Sequence, residues 1–141
     1  MEIPLPKLLS AFPDLLVFGV FGVVLLRVVL GFLFVRFGYV KLWGNRDEYE
    51  QTYASVLPKS GNYILVSIAW IELLGGILLI IGALTQIVAL VFAGLMLTAT
   101  LLKIKNASYF RNDPEFYFIL FVVSVALLFL GPGTYAIDLP F

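Results

Sequence analysis

Arg27 and Glu72 stand deep inside stretches of the chain that are otherwise apolar, and chemistry is expected there first. A charge inside a bilayer costs a few kcal/mol or more unless it is paired or hydrated, so each is a functional candidate by default. An arginine in such a place can hydrogen-bond a carbonyl or stabilise a reduced anion. A glutamate can relay a proton, provided no cation holds it ionised. Counted from the polar connection that joins their helices, Arg27 lies about 22 Å deep and Glu72 about 15 Å deep, at 1.5 Å per residue. That offset is about one helical turn, which predicts an Arg27–Glu72 ion pair, either a clasp that fixes helix register or a functional site. Arg27, Gly31, Phe34, Gly38 and Lys41 recur as one helical stripe. Lys41, at its end, reads as an interface anchor or as a second ligand contact. Phe34, Trp43 and Trp70 are the rings expected to flank a bound molecule. Arg36 falls half a turn out of phase with the stripe and is expected to snorkel into the headgroups.

The elements that must position these residues are membrane helices. Hydrophobic residues make up 62% of the 141 and charged residues 13%, whereas soluble domains run near 45–50% apolar and about 25% charged. So short a chain has too little interior to hide that much apolar surface from water. Nine cations balance nine anions, which leaves no basic field for nucleic acid. The absence of Cys and His excludes disulfides, thiol redox, iron–sulfur and zinc sites and the usual haem ligands, so no metal site is expected. The first fourteen residues lack the pattern of a cleavable signal peptide, and the first span is expected to direct insertion.

Apolar runs predict an all-α polytopic membrane protein: one membrane domain over 1–141, folded as a four-transmembrane-helix bundle. The spans cover about 15–42, 62–82, 86–102 and 116–130. Asp14 reads as the N-cap of the first. The run from Asn62 to Leu102 is about twice as long as one crossing, and Gly82 to Gln86 is where it must turn. Asp113-Pro114-Glu115 is a helix-start signal, and Gly131-Pro132-Gly133 a stop. Small residues, among them Gly75, Gly76, Ala89, Ala93 and Gly94, form seams for close approach. Between the first two spans, about 47–57 reads as a short amphipathic helix with Tyr49, Tyr53, Val56 and Leu57 on one face, either lying at the membrane interface or covering a substrate. Cations concentrate in the connections 44–61 and 103–115, which predicts that both are cytoplasmic and the termini outside, in the cell membrane.

Several ordered motifs resemble those of the DoxX family: Leu26-Arg27, Gly31, Phe34, Gly38 and Lys41-Leu42, then Ile71 to Gly76 with Gly82-Ala83-Leu84-Thr85. Glu115 and the closing Gly131 to Asp138 complete them, so that the likeness runs from Leu26 to Asp138. It implies a four-helix membrane protein of the kind associated with quinone-linked oxidoreductase complexes. Many relatives carry His just before the glycine that matches Gly38; this chain has Phe37. On this reading the protein is an accessory or quinone-interacting subunit. Glu72 is the candidate proton relay, Arg27 and Lys41 hold a quinone, and the electrons come from a redox-active partner subunit. A non-enzymatic assembly factor, chaperone or scaffold is the second reading. A small-solute or ion pathway is the third, and it would require oligomerisation, since four helices leave little room for a pore.

Overall fold

The structure is a computed structural model that describes residues 12–133 together with Ala136 and Ile137. It is all-α. A short 3-10 segment, Pro13–Phe18, leads into α1 (Gly19–Trp43). There follow α2 (Arg46–Val56), α3 (Gly61–Ile81), α4 (Thr85–Lys105) and α5 (Pro114–Leu130). Asp14 therefore lies inside the 3-10 turn, and α1 starts at Gly19 instead of Leu15. α1, α3 and α4 are long and apolar enough to cross a membrane, and α5 is a shorter apolar helix.

The surface and interior are those of a protein dissolved in lipid. Large apolar side chains point outward along every long helix, among them Leu25, Phe32, Leu74, Ile87, Leu101 and Phe129. The interior is largely apolar as well, with Leu30, Phe34, Leu79, Phe92 and Leu127 in its core, and it also encloses Arg27, Glu72, Thr85, Thr100 and Ser124. Hydroxyls along the helices turn back onto their own backbone: Ser67 donates to Tyr63, Thr98 to Gly94, Thr100 to Met96 and Ser124 to Leu120. Backbone polar groups find no water in a bilayer, and a hydroxyl that bonds one turn back exposes only apolar surface.

The helices pack chiefly as two antiparallel pairs, α1 with α3 and α4 with α5. Glycines set the first pair's register. A Cβ on Gly31 would lie 2.7 Å from the Gly76 carbonyl oxygen, and one on Gly38 would lie 2.5 Å from that of Ala69. Gly76 in turn sits against the Gly31 oxygen and the Val35 nitrogen. Backbones this close exclude any side chain. On α4, Phe92 joins the pairs: it stacks on Phe34 with centroids 3.6 Å apart and an interplanar angle of 12°, and it fills the notch at Gly75. Ala89 and Ala93 are buried beside it, whereas Gly94 faces outward with nothing near its Cβ position.

The ends follow the sequence signals. α3 stops at Gly82, whose φ of 76° is left-handed, and the Ala83 N–H returns to the Leu78 carbonyl. α5 begins with Pro114 after an extended Asp113 and ends at Gly131. Thr134, Tyr135 and Asp138 of the closing motif lie outside the described residues. Replacing Gly38 with Val should lower the unfolding midpoint in detergent by many degrees, while Gly94→Ala should leave it within a degree or two. Thermal unfolding followed by circular dichroism checks this, and equal shifts would contradict the register.

Candidate functional site

The α1–α3 register decides which charges meet. With Gly31 opposite Gly76 and Gly38 opposite Ala69 to Leu73, Arg27 comes level with Gly82 and Glu72 with Phe37, one turn from Lys41. Lys41 therefore takes the Glu72 carboxylate, donating to Oε1 at 2.7 Å and to Oε2 at 2.8 Å. Both are enclosed, with 10% of the Lys41 side chain and 1% of the Glu72 side chain exposed.

The expected Arg27–Glu72 pair is corrected by this arrangement. Depth counting assumed that α1 and α3 have level ends, but α3 starts beyond the end of α1 because Gly61 packs on the Tyr53–Ala54 backbone of α2. Arg27 lies about ten residues of α3 from Glu72, some 15 Å. Its guanidinium rests against the turn at Gly82 and donates to the Pro132 carbonyl. It thus ties the chain beyond α5 to the opposite end of the bundle.

The Lys41–Glu72 pair forms part of the wall of a cavity of about 170 Å³. Phe37 completes the α1 side, Ile64 and Ile68 the α3 side, and Leu95, Met96, Ala99 and Leu102 the α4 side. Tyr117 comes from α5, and Phe110 and Asn112 from the connection before it. The remaining wall is α2, which presents Tyr49, Thr52, Tyr53, Val56 and Leu57. The apolar face of α2 is thus turned onto the cavity, and of its two expected roles the covering one fits this placement. The Lys41 ammonium stands 5.7 Å from the centroid of the Tyr49 ring, within cation–π range. Tyr53 meets Phe110 edge-on, and Phe110 meets Tyr117, so the two polar connections close one end of the bundle together.

Burial pushes the Tyr49 and Tyr53 phenols above the ordinary tyrosine range, partly offset by the nearby Lys41 ammonium. Both are neutral hydrogen-bond donors at physiological pH. Apart from Thr52, Thr98, Asn112 and Tyr117 the rest of the wall is apolar, so the site combines an ion pair, phenol donors and aromatic surface. That set suits an uncharged ring bearing oxygen acceptors.

Four expected ligand contacts stand elsewhere, Arg27 at the Gly82 end among them. Trp43 and Trp70 meet edge-on at 6.0 Å on the outside of the α1–α3 pair, 59% and 43% exposed. Each is two residues from a charged partner, about 200° around its helix, and so faces away from the cavity. Phe34 is fully buried under Phe92, two turns below Lys41. Arg36 is exposed, as its phase predicts. Tyr117 and Phe37 were absent from the expected site: Phe37 is one turn before Lys41 on the same helix, a signal that phase alone offered. Among the described residues no cluster of acidic side chains has metal-ligating geometry.

An apolar exterior, a core that encloses a few charged and hydroxyl groups, and three helices of crossing length define the class, a polytopic helical membrane protein with a lined cavity at one end. The chain belongs to the DoxX family, whose model matches residues 22–103. It is 34% identical over 117 residues to a Bacillus subtilis (strain 168) protein named "Putative oxidoreductase CatD", over 83% of this chain and 84% of that one. No solved structure matches.

Breaking a buried pair strands a charge at a cost of about 3–5 kcal/mol, while replacing both partners by apolar groups is often neutral. Lys41→Met and Glu72→Met should each destabilise on that scale, and the double variant should recover most of the loss. The exposed Arg46–Glu50 pair is the control, with less than about 1 kcal/mol expected. Reversible unfolding in mixed micelles measures all four, and an additive double variant would show that the pair is not coupled.

Proposed function

We propose that this protein crosses the cell membrane four times and serves as an accessory, quinone-binding subunit of a membrane oxidoreductase. The carrying observation is the cavity, where a buried ion pair and two neutral phenols face an apolar chamber. α5, at 17 residues and about 25 Å, is short for a crossing but within the range of spanning helices. Cations outnumber acids near the α4 end and the α3 start, which supports a cytoplasmic position for the cavity end.

Size and chemistry suit a quinone head. An apolar cavity of about 150 Å³ accommodates a benzene ring, and the chamber here is slightly larger. When bound, a quinone supplies two-electron, two-proton redox chemistry. The chain's own residues bind and orient the head: Tyr49 and Tyr53 donate to its oxygens, and Phe37 and Tyr117 pack on its ring. The third N–H of Lys41, beyond the two that Glu72 accepts, is directed to the Tyr53 phenol oxygen, which leaves the Tyr53 O–H to donate. α2 excludes water. Glu72 is the one acidic group in the wall, and with both oxygens accepting from the Lys41 ammonium it does not meet the condition for a proton relay; its part is to hold and orient Lys41. No side chain among the described residues carries electrons, so these come from a partner subunit.

Mass spectrometry of protein extracted with its native lipids tests this. Stoichiometric quinone with a flavin- or haem-bearing subunit is expected, and the Lys41→Met/Glu72→Met double variant should fold but lose at least tenfold in quinone occupancy. Phospholipid alone would contradict the proposal. The two bonds from Lys41 to Glu72 also favour a second reading, a scaffold or assembly factor for other membrane proteins, in which the pair is only a clasp. In that case the double variant keeps its partners and full function.

A further inference from the structure

We infer that the cleft between α3 and α4 is a lateral portal, through which the cavity takes a ligand from the bilayer and lets its apolar tail remain in lipid. This rests on the quinone-head reading above and adds the class of ligand: a membrane-borne molecule with an aromatic, oxygen-bearing head and a long hydrocarbon tail.

The geometry comes from the α3–α4 register. Gly75 meets Phe92 and Val88, which seals these two helices together toward the Gly82 turn. Continuing that antiparallel register sets Ile68 opposite Thr98 and Ala99, and Ile64 opposite Leu102. All five line the cavity, so on the far side of the Gly75–Phe92 contact the chamber lies between α3 and α4. On the other flanks, the close α1–α3 packing and the Phe37–Phe116 contact at 6.0 Å close the wall. Over the end lie α2 and Phe110.

The cleft faces lipid. Ile64 and Ile68 are half-buried and Thr98 is exposed, and its hydroxyl is occupied by Gly94, so it offers a methyl group to its surroundings. Leu97 and Leu101 continue the same outward surface of α4. Height fits as well. Tyr39, Trp43 and Trp70 form an exposed aromatic cluster level with Lys41 and Glu72. Trp and Tyr collect at the membrane–water interface, so this rim of the chamber marks where the polar heads of amphiphiles reside, with the ion pair on its inner side. Such a head enters sideways without leaving its depth.

The test uses two probes on the full chain in nanodiscs: a methyl-substituted benzoquinone without a tail, and the same ring with a decyl tail carrying a diazirine near the ring. Irradiation should place adducts on residues 64–68 of α3 and 98–102 of α4, and the tailless ring should compete them away. Ala99→Trp and Ile68→Trp, introduced from opposite sides of the cleft into the cavity wall, should each cut adduct yield at least tenfold and weaken tailless binding by calorimetry as well. Leu97→Trp, on the lipid face, should change neither. Competed adducts on α2 or residues 106–113 would overturn the portal in favour of entry from the aqueous side. Tailless binding without competed adducts of the tailed probe would overturn it too, since the tail would have no place to go. If neither probe binds, the quinone-head reading fails along with the portal.

Discussion

The Lys41–Glu72 ion pair depends on how closely α1 and α3 approach, and much else depends on the pair. Gly31, Gly38 and Gly76 bring no side chain of their own into the contact, so the two backbones slide to one register. At that register a lysine near the end of α1 reaches a glutamate at the middle of α3. Enclosed charges of this kind are tolerated only when paired. The pair makes one wall of the bundle polar without making it wet, and a cavity can then persist beside it.

The two ends of the bundle are built differently. At the Gly82 end, Arg27 joins the α3–α4 turn to the Pro132 carbonyl, and Gly133 packs on Val23, so the end is tightly closed. At the other end the connections are longer, and α2 together with Phe110 forms a cover in which tyrosines replace aliphatic packing. A buried arginine that donates to backbone stiffens a closed end. A lysine that shares a carboxylate beside phenols leaves room for a guest. Of the two deep charges, one is architectural in position and the other belongs to the chamber.

Much of this was legible in the sequence. The buried stripe of α1 falls on Arg27, Gly31, Phe34 and Gly38, the turn on Gly82, and the start of α5 on Asp113-Pro114, because local periodicity and turn chemistry dictate them. The partner of Glu72 was not legible from depth. Counting from helix ends treats them as level, and α3 extends past α1 to meet α2. Helical phase should have excluded Trp43 and Trp70, since two residues from a buried charge is the opposite face. Tyr49 and Tyr53 were visible as one face of α2, but which surface that face covers depends on contacts distant in sequence.

The most direct test of the pairing is solid-state NMR on the protein in lipid, with lysine labelled at Nζ, arginine at Nη and glutamate at Cδ. Dipolar dephasing of the glutamate carboxyl by lysine nitrogen is predicted, and it should vanish in both Lys41→Met and Glu72→Gln. Dephasing of the Glu72 carboxyl by arginine nitrogen, with no effect of Lys41→Met, would contradict the account and restore Arg27 as the partner.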